Sequence, residues 1–107
     1  MLRRALILVV VAVAALAIVA VPATGAGTTV RAKNFKFVAK TVTIPKGGKV
    51  TWKNVQGTHT VTFKTLAFNK TISGSKSVSK TFGRKCTFAY VCRFHKSLGM
   101  RGTVVVN

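Results

Sequence analysis

The chain reads as an all-β protein, a sandwich of about seven to eight short strands, and three observations carry that reading. From residue 28 onward apolar and polar residues alternate with period two in runs of four to nine residues. Turn-forming residues separate the runs, and nothing long enough at helical period interrupts them. Several short alternating strands at such spacing suggest a β-sandwich.

Residues 1–26 come first and stand apart. Arg3 and Arg4 precede an uncharged run over 5–21, which ends at Pro22, Ala23 and Ala26. Basic, then apolar, then small is the order of a secretory signal. The apolar run lies at the short edge of a membrane span, so an uncleaved anchor is the second reading. The protein is expected outside the cytoplasm, periplasmic, extracellular or at the cell surface, with residues 27–107 as one small folded domain. A core of that size gains from an added staple such as a bound metal.

Strands are predicted over 29–37, 41–44, 49–54, 60–64, 77–82, 87–92 and 102–106. Val42, Ile44, Val50, Trp52, Val61, Phe63, Phe88 and Tyr90 fall on the inward faces. Pro45-Lys46-Gly47-Gly48, Gln56-Gly57 and Ser73-Gly74-Ser75 supply breaks. The 66–76 segment alternates least and has room for a short helical turn.

Between the last two strands lies the most informative stretch. Cys92, His95 and Met100 place a thiol, an imidazole and a thioether within nine residues, and the chain has one further histidine, His59. Each taken alone has an ordinary structural reading: a small buried thiol, a core histidine, a loop histidine, core filler. Together they form a donor set suited to copper exchanging between Cu(I) and Cu(II), with two imidazoles and a thiolate binding firmly and a thioether weakly along the axis. Zinc would want a fourth firm ligand, which methionine is not.

The loop Cys92-x2-His95-x4-Met100, followed by Gly102-Thr103-Val104 and preceded by Gly57-Thr58-His59-Thr60-Val61-Thr62-Phe63, resembles the plastocyanin and azurin branch of the cupredoxins over about 30–106. The resemblance implies a Greek-key β-sandwich holding one type 1 copper ion, with Cys92, His59 and His95 as strong ligands and Met100 axial. It also implies an electron carrier rather than an enzyme, with His95 as the electron exit. Three positions depart from the family pattern. Thr60 stands where asparagine commonly ties the ligand loops together, and its hydroxyl is expected to take over part of that role. Thr58 and Phe94 replace the proline often found before each histidine.

Cys86 is the second cysteine. It shares one predicted strand with Cys92 at six residues' distance, about 20 Å at the usual rise, whereas a disulfide needs Cα atoms within about 7 Å. It is therefore expected to be a half-buried free thiol, at a position where the resembling family usually carries a small turn residue.

The chain contains 18 Lys and Arg and no Asp or Glu. Acid–base catalysis by paired carboxylates is excluded, and Mg or Ca sites find no ligands. Arg3 and Arg4 belong to the leader, so 16 of the 18 positive charges remain in residues 27–107. They favour an acidic redox partner or peripheral contact with an anionic membrane surface, and both attractions should weaken with salt. Arg93, Lys96 and Arg101 lie within the metal-ligand loop or beside it, where Phe94 and Leu98 are expected to form an apolar patch around His95. A recognisable nucleic-acid module is missing from the sequence, so no specific nucleic-acid partner is expected. The absence of a second loop cysteine and of further histidines argues against a binuclear centre or a catalytic copper oxidase. A monomeric electron carrier is the first expectation. Copper sequestration or delivery through the same residues is the alternative.

Overall fold

A computed structural model describes residues 27–107. The leader and its two readings, secretory signal and anchor, lie outside the described residues. Nine strands follow one another: β1 Thr28–Lys33, β2 Lys36–Val38, β3 Thr41–Ile44, β4 Lys49–Asn54, β5 Thr58–Phe63, β6 Asn69–Ser73, β7 Ser77–Thr81, β8 Cys86–Val91 and β9 Arg101–Val106. They form a four-stranded sheet in the order β2-β1-β4-β7 and a five-stranded sheet in the order β3-β9-β8-β5-β6. Strand order departs from chain order in both sheets, as a Greek-key sandwich requires. Parallel pairs β1–β4 and β3–β9 accompany antiparallel neighbours elsewhere. A short 3-10 turn, Lys96–Leu98, is the helical element among the described residues, and no helix there is long and apolar enough to cross a membrane.

Two expectations are corrected. The run over 29–37 is not one strand, because the chain turns at Asn34 and Phe35 and β2 folds back antiparallel on β1. The 66–76 segment holds the edge strand β6 instead of a helical turn. Its sequence, Asn-Lys-Thr-Ile-Ser, buries Ile72 alone, so the pairing with β5 and not its own alternation makes it a strand.

Every residue assigned to an inward face is buried, around a centre made by Trp52, Phe63 and Tyr90. Trp52 meets Phe63 and Tyr90 edge-on, with ring centroids 5.8 and 5.4 Å apart. Tyr90 lies opposite Gly102 across the β8–β9 ladder, and a Cβ at Gly102 would run into its ring. Glycine is therefore required for the tyrosine to lie flat over β9. The Tyr90 hydroxyl is buried without a hydrogen-bond partner, and burial pushes its pKa up to about 12, opposed only by the nearby Trp52 N–H.

The strand directions define two ends. At one end lie the close of β4, the start of β5, the β6–β7 turn and the β8–β9 loop, and Asn54 joins the first three: its Nδ2 donates to the carbonyls of Gly57 at 2.7 Å and Gly74 at 3.0 Å. The β3–β4 and β7–β8 turns and the C-terminus gather at the other, where Gly47 donates to the Phe82 carbonyl and Lys46 to that of Asn107.

Candidate metal centre

His59 is the second residue of β5, and Cys92 follows the last residue of β8 directly. Neighbouring antiparallel strands thus bring an imidazole and a thiol from distant parts of the sequence to one end of the sheet. His95 comes from the loop beyond Cys92. That loop is stitched to itself: the His95 N–H donates to the Cys92 carbonyl, Leu98 N–H to His95, Gly99 N–H to Lys96 and Met100 N–H to His95, while Cys92 N–H donates to the Met100 carbonyl. Such closure fixes where the loop side chains start.

The donor atoms converge. His59 Nδ1 and His95 Nδ1 are 3.2 Å apart, and Cys92 Sγ stands 3.7 Å from the first and 3.5 Å from the second. A point equidistant from these three atoms lies about 2 Å from each, the length of a metal–imidazole bond and slightly short for a metal–thiolate bond. Met100 is fully buried at the base of the loop, its backbone bonded to both Cys92 and His95. The four residues fit a single type 1 copper site in donor chemistry as well as in spacing.

The ring orientation of His59 is set from behind. Its Nε2 lies 2.6 Å from the Gln56 carbonyl, which can only accept, so Nε2 carries the proton and Nδ1 presents its lone pair to the centre. Burial holds the His59 pKa below its ordinary value, with the Gln56 carbonyl opposing and the nearby His95 adding to the effect. The neutral imidazole is the form that binds a metal. Gly57 makes this arrangement fit: its φ of +81° is left-handed, and a Cβ there would strike the Asn34 side chain and come within 3.1 Å of His59 Nε2.

Thr60 joins the strand to the loop. Its hydroxyl accepts the Arg93 N–H at 2.8 Å, and its own N–H donates to Cys92 Sγ at 3.4 Å. The role expected of this hydroxyl is therefore filled. Hydrogen bonding to the sulfur is a lever on the potential of such a site.

Around His95 the surface is apolar. Phe94 is 53% and Leu98 61% exposed, as the loop reading anticipated. Phe35 was missed. This ring, 47% exposed at the β1–β2 turn, packs against the His95 imidazole at a centroid distance of 4.7 Å. Asn34 and Gln56 escaped notice too, although the Gln56 side chain accepts the Asn34 N–H at 3.1 Å and so fixes that turn beside the site. All are long-range contacts with no local signal beyond the turn character of Gln56-Gly57. Both cysteines are free, and Cys86 is exposed rather than half-buried, paired with Val106 at the far end of the sheet.

Comparison with known proteins places this geometry. The family model of copper binding proteins, plastocyanin/azurin family, matches residues 25–107. A purple cupredoxin from Nitrosopumilus maritimus has the same fold at 19% identity and a TM-score of 0.68, over 75% of this chain and 99% of that one. Plastocyanin from Dryopteris crassirhizoma is 23% identical with a TM-score of 0.62, over 75% of this chain and all of the other (100%). A reduced amicyanin variant reaches 30% identity and a TM-score of 0.62, over 76% of this chain and 82% of its own. None of the curated proteins matches the chain in sequence. The chain belongs to the plastocyanin/azurin family of copper-binding proteins.

Proposed function

We propose that the protein is a mononuclear blue-copper electron carrier, exported from the cytoplasm and working as a monomer rather than as an enzyme. In this reading His59, Cys92 and His95 would hold the metal firmly and Met100 more weakly. Copper bound there supplies one-electron exchange between Cu(I) and Cu(II). The observation that carries the proposal is the convergence of two Nδ1 atoms and one Sγ around a point about 2 Å from each, held by hydrogen bonds of the protein's own backbone. A site already set to the bonded spacing needs little rearrangement when the charge on the metal changes, which suits a carrier better than a protein that must release its cargo.

The chain's residues divide the remaining work. Gln56 fixes the tautomer of His59, Thr60 holds the loop against β5, and Cys92 is fully buried in the same apolar core as Trp52 and Tyr90, which keeps water from the sulfur. His95 lies partly open among Phe35, Phe94 and Leu98, which form an apolar landing surface for a partner. Arg93, Lys96 and Arg101, all exposed, rim that surface with positive charge and favour an acidic redox protein.

Stopped-flow electron transfer tests the proposal. Rates with an acidic redox protein should exceed those with a basic one and fall steeply as salt rises, because exposed charges are screened over about 8 Å at physiological ionic strength. A faster reaction with the basic partner would sink the docking assignment. Slow electron exchange with every partner, alongside ready copper transfer to an acceptor protein, would favour sequestration or delivery instead.

A further inference from the structure

The metal centre occupies one end of the sandwich, and the opposite end has no part in it. There Lys46, Lys49, Arg84 and Lys85 are exposed around the β3–β4 and β7–β8 turns, with Lys80 partly so. Leu66, Phe82 and Phe88 line a hollow of about 120 Å³, with Lys80 and Arg84 at its rim. The two cations lean on its rings, the Lys80 amine 5.5 Å from the centre of Phe82 and the Arg84 guanidinium 5.8 Å from that of Phe88. No carboxylate side chain exists anywhere in the sequence to neutralise them. The pattern of cationic heads over an apolar floor resembles a surface that takes an anionic amphiphile.

Charge alone does not select this end, because Lys36, Lys53, Lys76, Arg93, Lys96 and Arg101 make the other end basic as well. The path of the chain does. β1 runs parallel to β4 with Thr28 beside Val50, so the described chain enters at the end opposite the metal centre. Only residues 22–27 separate the uncharged run 5–21 from Thr28. Six residues span at most about 20 Å even when fully extended. Any bilayer holding the apolar run therefore lies within that reach of Thr28, at the same end of the sandwich as Lys46, Lys49, Arg84 and Lys85.

We propose that this end of the sandwich is a docking face for anionic phospholipid, seating headgroups among Lys46, Lys49, Lys80, Arg84 and Lys85 and directing the metal centre away from the membrane. The copper site faces the aqueous compartment and stays open to a partner while the domain rests on the lipid. The proposal does not depend on copper, and loss of the metal leaves the docking face intact.

A neutral fluorophore on Cys86, which lies on this face while Cys92 is fully buried, reports the contact. The full chain is placed with vesicles of phosphatidylcholine alone or mixed with phosphatidylglycerol, and quenching by aqueous acrylamide is measured. Phosphatidylglycerol should at least halve the quencher's access to the dye. The triple variant K46Q/R84Q/K85Q should lose that protection, whereas K36Q/K53Q/K76Q, which removes the same charge from the other end, should keep it. Raising the salt should abolish the protection in the parent. Equal loss in both triple variants would reduce the effect to whole-molecule charge and overturn the proposal. Protection by a short DNA duplex but not by anionic vesicles would also overturn it, pointing to nucleic acid as the polyanion. Absence of any protection would do the same.

Discussion

His59 and His95 present the same ring nitrogen to the same point, yet one belongs to a strand and the other to a loop. His59 is fully buried, its far nitrogen bonded to the Gln56 carbonyl and its neighbour Thr60 bonded to the sulfur and to Arg93. His95 starts a short 3-10 turn, is partly exposed, and has Phe35 against its ring. The difference separates two tasks. The strand-borne half fixes geometry as a by-product of folding, while the loop-borne half leaves that geometry open to solvent.

The largest expected contrast follows from this. In the metal-free protein, His59→Ala should cost about 2–4 kcal/mol, because it leaves a core cavity and an unpaired Gln56 carbonyl. His95→Ala, on the surface loop, should cost within about 1 kcal/mol. Urea unfolding of the two variants measures the difference, and equal losses would erase the distinction between the halves.

The core beneath both halves gives a pH test. The Tyr90 pKa is raised from 10.0 to about 12, so the folded state holds its proton more tightly than the unfolded chain does. The corresponding stability is fully present below pH 10 and is lost as pH rises towards 12, amounting to about 3 kcal/mol for a shift of that size. Unfolding of the parent and of Tyr90→Phe should therefore diverge across that window and run parallel below it. Parallel curves throughout would mean that the phenol reaches water.

Thr60→Val tests the seam between the halves. It removes the acceptor of the Arg93 N–H and should cost about 1–2 kcal/mol, with faster release of copper to a chelator, while Thr60→Ser retains both properties. A harmless valine would show that the loop closes on its own bonds. Smaller still in stability, within about 0.5 kcal/mol, is Phe35→Ala on the surface. It should slow electron transfer to a protein partner and leave the visible spectrum unchanged. Lys96→Glu should slow the same reaction with an acidic partner, and Lys85→Glu, at the opposite end, should do much less.

How far the sequence could foretell this site follows from the same comparison. Cys92, His95 and Met100 were readable because scarce donor types recur at short spacing within one loop, and His59 because it is the other histidine of the chain. The inward faces were readable wherever alternation was clean. What escaped depends on pairing across the fold. β6 is a strand because β5 offers it a ladder, and Asn34-Phe35 is a turn within a run whose alternation continues through it. Phe35 reaches His95 only after that turn has folded. The hydroxyl of Thr60 was expected to tie the loops, but the N–H from Thr60 to the sulfur becomes visible only when β5 and β8 lie side by side.

The visible spectrum of the protein with Cu(II) tests the central claim most directly. The parent and Cys86→Ser should both be intensely coloured by charge transfer from thiolate to copper, and Cys92→Ser should lose the colour. A colourless copper-bound parent, or colour that survives in Cys92→Ser and disappears in Cys86→Ser, would contradict the assignment of the site.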